Sequence, residues 1–111
     1  MEISKKEEGG IVQIEIVGRL DAASAGEADE AVAGILNDGA SKLLFNLGQL
    51  EYLSSAGLRV LLAAAKKIRL IEGKVVLCSL TEYVKEIFEV SGFESLIPIA
   101  DSVEAGLKEL S

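Results

Sequence analysis

The sequence predicts a single α/β domain whose sheet is mixed but mostly parallel, with about five strands, about four helices and a β-hairpin at the start. Three observations predict it. Short strand-like segments alternate with helix-like segments, a Gly-Gly pair separates the first two strand-like segments, and the composition is 50% apolar and 26% charged, as in one globular domain. We therefore expect one domain over residues 1–111.

The first predicted elements are a β-hairpin and a helix. Glu2–Glu7 and Ile11–Val17 flank Gly9-Gly10, and the second segment alternates apolar and polar side chains, which is typical of a strand with one buried face. Ser24 and Glu27 have the capping-box spacing, in which a hydroxyl and a carboxylate each accept a hydrogen bond from a backbone donor at a helix start. A helix is therefore predicted to begin at Ser24.

The middle of the chain is predicted to be a buried strand followed by a long helix. Asn37-Asp38-Gly39 ends the first helix, and Lys42–Leu47 has the short, mostly apolar composition of a buried strand. From Ser55 to about Leu70 apolar residues recur at helical spacing. They form an unusually wide band: Leu58, Leu61, Leu62 and Ala65, extended by Val60, Ala63 and Ala64. The band either packs within the domain, which is the favoured interpretation, or offers part of its surface to a partner.

The last third is predicted to contain two more strands and two more helices. Lys74–Cys78 is a second buried strand. Leu96–Ala100 is a short final strand, in which Pro98 indicates an edge position because proline cannot donate a ladder hydrogen bond. The two remaining helices are predicted to start at capping boxes, namely Ser79 with Glu82 and Asp101 with Glu104.

The charge and the cysteine content restrict the partners and the compartment. Eighteen acidic and 11 basic side chains give a net charge of −7, which repels nucleic acid and anionic lipid, so a basic protein surface is the more plausible partner. No apolar run approaches the ~20 residues of a membrane span, and Met1–Gly10 is charged where a signal peptide would be apolar. Cys78 is the only cysteine, so no intramolecular disulfide is possible, which indicates a reducing compartment. We therefore expect a cytoplasmic protein, and the lack of a long apolar run predicts no direct membrane insertion.

The sequence contains no enzyme signature. Histidine is absent, which removes the commonest general base and metal ligand. There is also no phosphate-binding loop, dinucleotide-binding glycine motif, nucleophile elbow or cluster of metal ligands. Cys78 ends a predicted buried strand with no histidine to activate it, so it is interpreted as a core residue. We expect no catalysis, no cofactor and no bound metal.

The segment Tyr52–Leu62 is the most informative about function. It places two hydroxyls, those of Ser54 and Ser55, where a predicted strand leads into a predicted helix. A phosphate on either serine would lie in the favourable field of a helix N-terminus and would add about −1.5 to −2 charges. The alternative is that one of these serines is only the N-cap, since serine is among the best capping residues. From chemistry alone both interpretations stay open.

Three segments of the chain resemble the STAS domain family, named for sulfate transporters and anti-sigma factor antagonists. Asn46–Leu62, with the sequence NLGQLEYLSSAGLRVLL, is similar to the family's signature. Gly18–Asp21 followed by Ser24 resembles its G-x-[LI]-D-x-x-[ST] segment, and the stretch KVVLCSLTEYVKEIFEVSGF resembles its third strand-helix unit. The order of the predicted elements is also that of the family, so the resemblance covers nearly the whole chain.

The resemblance implies a phosphorylation site. In the antagonist branch of the family, the motif D-S-[ST/A]-G-[LM] contains a serine, two positions before the glycine, that a partner phosphorylates. Anchored on Gly57, this serine corresponds to Ser55. Ser54 stands where the family commonly has aspartate and is the second choice of phosphoacceptor.

The resemblance also implies a partner-binding set. Asp21 corresponds to the family's other recurrent acid, which lies close to the phosphorylation loop, although a solvated loop acid is an equal alternative. Because it precedes the predicted Ser24 cap, Asp21 is not expected to cap the helix itself. The full set is Asp21, Ser54, Ser55, Ala56, Gly57, Leu58 and Arg59.

By this resemblance the chain is expected to be a phosphorylatable binding switch. The unphosphorylated form would bind an anti-sigma factor that is also a serine kinase and so release a sigma factor, and serine phosphorylation would switch it off. ATP would belong to the kinase, a phosphatase is a further candidate partner, and a monomer is expected. The alternative is a stand-alone STAS subunit of a lipid or anion transport complex.

Overall fold

Strands and helices alternate along the computed structural model, which describes all of residues 1–111. There are six strands and four α-helices. They are β1 (Glu2–Glu8), β2 (Ile11–Leu20), α1 (Ala25–Asn37), β3 (Lys42–Asn46), β4 (Leu50–Leu53), α2 (Ser55–Leu70), β5 (Lys74–Cys78), α3 (Glu82–Ser91), β6 (Ile99–Ala100) and α4 (Val103–Leu110). A short 3-10 turn, Phe93–Ser95, lies between α3 and β6.

The sheet has the mixed, mostly parallel topology that the alternation predicts. Its strand order is β1-β2-β3-β5-β6, and β4 pairs with β2. β1 and β2 form an antiparallel hairpin, and every other pairing is parallel. Gly9 and Gly10 turn the hairpin with φ angles of 59° and 81°, which glycine adopts without strain. The predicted α/β fold with an opening hairpin is confirmed.

Strand β4 is the one strand that the sequence did not predict. It pairs with the end of β2, where the register shifts between Gly18 and Arg19. The shift leaves Glu51 as an extra residue, so Leu50 and Leu53 are both buried although they are three positions apart. This spacing hides the period of two by which a strand is recognised.

The sheet lies between two hydrophobic cores. In β3, Leu43 and Phe45 belong to the larger core and Leu44 belongs to the smaller one, because successive side chains of a strand point to opposite faces. Helices α1, α2 and α3 contribute buried residues to the larger core, and α4 packs on the smaller core through Leu110. Because β2 and β4 run parallel, their carboxyl ends lie at the same edge of the sheet, where β4 leads into α2.

The wide apolar band of α2 is used mostly within the domain. Leu58 and Leu62, which were predicted on the central apolar face, are only partly buried. The fully buried apolar side chains of the helix are Val60, Leu61, Ala64, Ala65 and Ile68. Packing within the domain, the favoured interpretation, is thus confirmed for Val60, Leu61, Ala64 and Ala65 of the band. Neither α2 nor any other helix has the length and apolarity needed to cross a membrane.

The helices begin close to the predicted positions, but the predicted capping boxes are wrong in detail. Ser24 precedes α1, yet its side chain accepts no capping hydrogen bond from that helix. The cap of α3 is Thr81 and the cap of α4 is Ser102, each accepting from the backbone N–H three residues further on, at 3.3 and 3.1 Å. Ser79 has a left-handed backbone, with φ of 61°, and so lacks the extended conformation of an N-cap. Asp101 lies one residue too early.

Candidate functional site

The loop that carries Ser54 and Ser55 lies at the carboxyl ends of β2 and β4. The Ser54 N–H donates to the Leu20 carbonyl oxygen at 3.0 Å, which joins the end of β2 to the end of β4. Helix α2 begins at the next residue, Ser55. In open α/β sheets this edge is where ligands and partners collect, so the loop lies where a binding surface is expected.

Ser54 is the N-cap of α2. Its backbone is extended, with φ of −93° and ψ of 175°, and its Oγ accepts a hydrogen bond from the Gly57 N–H at 3.2 Å. Its carbonyl oxygen accepts from the Leu58 N–H at 2.8 Å. The capping role that sequence reasoning left open between two serines therefore belongs to Ser54, which can take this role in place of an aspartate.

Ser55 is the exposed member of the pair. It is the first residue of α2, and the side-chain hydrogen bond that closes the loop comes from Ser54 and not from Ser55. As the first residue of α2, Ser55 lies at the helix end where backbone N–H groups lack helical acceptors and the helix dipole is positive. A phosphoryl group on the Ser55 Oγ would meet a favourable field and would break no contact of the fold.

Gly57 allows α2 to approach the end of β2 closely. The residue is buried, and a Cβ atom at this position would overlap the Leu20 carbonyl oxygen and lie 2.8 Å from Leu20 Cγ. No side chain fits between these elements without a backbone shift. Of the other predicted residues in this turn, Ala56 and Leu58 are partly buried and Arg59 is exposed.

Asp21 closes the turn that precedes α1, and Ser24 is the N-cap residue of that helix, so Asp21 is not the helix cap, as the sequence predicts. Its Oδ1 accepts from the N–H groups of Ala23 at 3.0 Å and Ser24 at 3.3 Å, and its carbonyl oxygen accepts from the Ala25 N–H at 2.8 Å. The Ser24 Oγ instead accepts from the Asp21 N–H at 3.0 Å and donates to the Arg19 carbonyl oxygen at 2.9 Å. The Asp21 carboxylate therefore satisfies N–H groups of the turn before α1, and the Ser24 side chain accepts no hydrogen bond from the helix itself.

The carboxylate of Asp21 is held in its charged form. Desolvation acts to raise the pKa of Asp21, but the hydrogen bonds from Ala23 and Ser24 and the Arg19 guanidinium outweigh it, and the pKa lies below its ordinary value. Arg19 Nε lies 3.5 Å from Asp21 Oδ2, and the Asp21 side chain is 26% exposed. Asp21 thus presents a negative charge directly after the strand end that holds Ser54.

Three side chains form a stack that sequence reasoning missed. The Arg19 Cζ lies 4.2 Å from the centroid of the Tyr52 ring, and the Tyr52 and Tyr83 ring centroids are 6.3 Å apart with an angle of 22° between the planes. Arg19 and Tyr52 are register partners in the β2–β4 pairing. If β4 had been recognised in the sequence, its pairing with β2 would have placed Arg19 beside Tyr52. We refer to these residues as the Arg19-Tyr52-Tyr83 stack.

Cys78 is a core residue. It is fully buried at the end of β5. Burial raises the pKa of its thiol by more than a hydrogen bond with Ser79 lowers it, which disfavours the reactive thiolate. The predicted structural role of Cys78 is confirmed.

Comparison with known sequences identifies a matching domain family and related proteins. A family model described as the STAS domain matches residues 2–106. A Bordetella bronchiseptica protein, named as a candidate anti-sigma factor antagonist, BtrV, is 43% identical over 88 residues. The aligned region is 79% of this chain and 76% of that protein.

Comparison with solved structures agrees with the fold. A crystal structure of a candidate anti-sigma factor antagonist from Thermotoga maritima has a TM-score of 0.93 at 22% identity, and the match covers 97% of this chain and 93% of that one. The Bacillus cell fate determinant SpoIIAA in its phosphorylated form has a TM-score of 0.77 at 17% identity, over 99% of this chain and 100% of that one. The unphosphorylated form of SpoIIAA also has a TM-score of 0.77, at 16% identity, over 97% of this chain and 96% of that one.

Proposed function

The chain belongs to the STAS domain family, and on that basis we propose that it acts as an anti-sigma factor antagonist controlled by serine phosphorylation. The unphosphorylated chain binds an anti-sigma factor that is also a serine kinase, and a sigma factor is released in exchange. A phosphate on the acceptor serine then dissociates the complex. The observation that carries the proposal is the exposed hydroxyl of Ser55 at the start of α2.

Ser55, ahead of Ser54, is the proposed phosphoacceptor. A kinase has to reach the hydroxyl it modifies, and the Ser54 Oγ is engaged by the Gly57 N–H. Phosphorylation of Ser54 would also disturb a helix cap worth about 1 kcal/mol. Ser55 has neither restriction, and it stands two positions before Gly57, as in the antagonist motif.

The proposed partner-binding set surrounds Ser55 on two neighbouring elements. Asp21 follows the end of β2, whose Leu20 carbonyl oxygen holds the Ser54 N–H. The other members, Ser54, Ser55, Ala56, Gly57, Leu58 and Arg59, form the cap and first turn of α2. Because Gly57 is buried, its proposed role is to shape the loop, whereas the exposed members make the contacts.

Phosphorylation is proposed to act locally. The phosphate adds about −1.5 to −2 charges to a docking surface. It opposes binding because it repels negative groups of the partner and because burying it in the interface removes its hydration. The loop is already held by the hydrogen bonds of Ser54 to Leu20 and Gly57, so it does not have to move.

The proposal extends to the partners and the state of the chain. The kinase binds ATP, and a phosphatase restores the unphosphorylated form. The chain acts as a cytoplasmic monomer, since a net charge of −7 opposes self-association. Relatives named as anti-sigma factor antagonists support a binding protein rather than an enzyme, and they do not favour the transport-complex alternative.

Phosphosite mapping tests the proposal. The unmodified chain, Ser55→Ala and Ser54→Ala are each incubated with the native kinase and ATP, and phosphopeptides are mapped by mass spectrometry. We expect phosphate on Ser55 in the unmodified chain and in Ser54→Ala, and no phosphate in Ser55→Ala, which still binds the kinase. Ser54→Ala should lower the free energy of unfolding by about 1 kcal/mol through loss of the cap.

A binding titration with Ser55→Asp completes the test. A single uncompensated charge in the interface costs several kcal/mol, so this variant should bind the kinase roughly 100-fold more weakly or worse. Phosphate on Ser54 alone would overturn the choice of acceptor. Phosphate on neither serine would favour a subunit of a transport complex.

A further inference from the structure

The Arg19-Tyr52-Tyr83 stack lies on the surface beside the phosphorylation loop. Tyr83 is 45% exposed and the Arg19 side chain is 62% exposed. We propose that this stack is a second contact region for the same anti-sigma factor kinase and sets the affinity of that kinase for this chain. This inference rests on the proposed function. The kinase would place a carboxylate against Arg19 and apolar surface against the Tyr83 ring.

The stack lies within the area that a partner seated on Ser55 covers. Tyr52 is three residues before Ser55, so their Cα atoms are at most ~11 Å apart. Arg19 is adjacent to Leu20, whose carbonyl oxygen accepts from the Ser54 N–H. A specific protein interface buries about 800 Å² on each partner, which corresponds to a disc of roughly 16 Å radius. A kinase centred on Ser55 therefore also reaches Tyr52 and its neighbours.

The stack consists of residue types that dominate the energetics of protein interfaces. Tyrosine and arginine are enriched among the residues whose truncation weakens binding most. Stacking already restricts the Arg19 and Tyr52 side chains in the free protein, so less conformational entropy is lost on binding. Arg19 directs Nε towards Asp21, and its terminal nitrogens carry further donors that suit a carboxylate of the partner.

Two other exposed apolar residues lie at the far ends of α2 and α3. Leu70 ends α2 and is 79% exposed, and Val90 lies near the end of α3 and is 81% exposed. Ser55 stands at the opposite end of α2, which is roughly 24 Å long. Val90 therefore provides a matched control for Tyr83, because both residues lie on α3 and are exposed but only Tyr83 belongs to the stack.

The test compares Tyr83→Ala, Arg19→Gln and Val90→Ala with the unmodified chain in binding and in phosphorylation by the native kinase. Tyr83→Ala should raise the Kd and the KM for this chain by roughly 10-fold or more, with kcat nearly unchanged because Ser55 is untouched. Arg19→Gln should change both constants in the same direction. Val90→Ala should match the unmodified chain, and thermal unfolding should show that all three variants are folded.

Three outcomes would overturn the inference in distinguishable ways. If Tyr83→Ala keeps the Kd and the KM of the unmodified chain, the contact region is wrong while the phosphorylation switch stands. If Val90→Ala loses as much affinity as Tyr83→Ala, the effect belongs to α3 in general and the stack has no special role. If the kinase neither binds nor phosphorylates the unmodified chain, the proposed function fails and the inference fails with it.

Discussion

At the scale of single residues, hydrogen bonds decide the structural roles of the polar groups nearest Ser55. Ser54 Oγ is engaged by Gly57, and Asp21 Oδ1 is engaged by Ala23 and Ser24. Spacing from Gly57 was sufficient to predict Ser54 as the cap of α2, and the role of Ser55 as phosphoacceptor stays a prediction. The capping-box spacing of Ser24 could not show that its side chain makes no hydrogen bond to α1, because spacing does not report the geometry of the turn.

Asp21→Asn should be slightly destabilising at neutral pH, and its difference from the unmodified chain should disappear in acid. A carboxyl whose pKa is lower in the folded than in the unfolded state stabilises the fold above the unfolded-state value of about 3.9. That contribution is lost as the pH falls through the folded-state pKa. Asparagine keeps the Oδ1 acceptor but carries no charge, so the variant lacks this pH dependence.

Urea unfolding of both proteins at pH 7 and at about pH 2.5 measures this difference. A difference that stays the same at both pH values would contradict stabilisation by the charge. Under the proposed function, Asp21→Asn should lower the magnitude of the free energy of kinase binding at pH 7 by more than it lowers the free energy of unfolding. A much lower melting temperature with intact binding would make Asp21 a structural residue only.

At the scale of elements, the strength of the periodic pattern determined what the sequence could predict. Helix α2 was predicted with its observed bounds, Ser55–Leu70, because its apolar residues recur over many turns. Strand β4 was missed because a bulge breaks the alternation of its four residues. The cap of α3 was placed two residues early, at Ser79, because a capping box reports spacing and not backbone conformation.

The cap of α3 can be tested by two substitutions with opposite expectations. Thr81→Ala should lower the free energy of unfolding by about 1 kcal/mol, since the Val84 N–H loses its acceptor. Ser79→Gly should leave stability unchanged or raise it, because glycine adopts a positive φ more easily than serine. Thermal or urea unfolding measures both. Greater destabilisation by Ser79→Gly than by Thr81→Ala would restore Ser79 as the cap.

At the scale of the whole molecule, the fold class was predictable and the convergence of distant side chains was not. Alternating strands and helices imply parallel pairing, which the structure confirms. The Arg19-Tyr52-Tyr83 stack joins β2, β4 and α3, and no local pattern in the sequence contains all three. The smaller core was likewise unseen, although Cys78 was correctly assigned to the interior.

Cys78 should react with a thiol reagent only when the molecule opens. It is fully buried, and burial raises the pKa of its thiol, so access requires loss of the smaller core. Labelling by an aromatic disulfide reagent at about pH 8 should be slow in buffer and rapid in denaturing urea. Rapid labelling of the native chain would show that the smaller core opens without global unfolding.

The exposed position of Ser55 has a consequence for how long a signal lasts. Its side chain takes no part in the hydrogen bond that closes the loop, and a negative group at a helix start changes stability by only about 0.3–1 kcal/mol, in the stabilising direction. Proteases remove chains in proportion to their unfolded fraction, so they have no means of clearing the modified form selectively. Under the proposed function, the inactive pool would then persist until a phosphatase acts or growth dilutes it. The duration of the response would therefore be set by dephosphorylation and not by protein turnover.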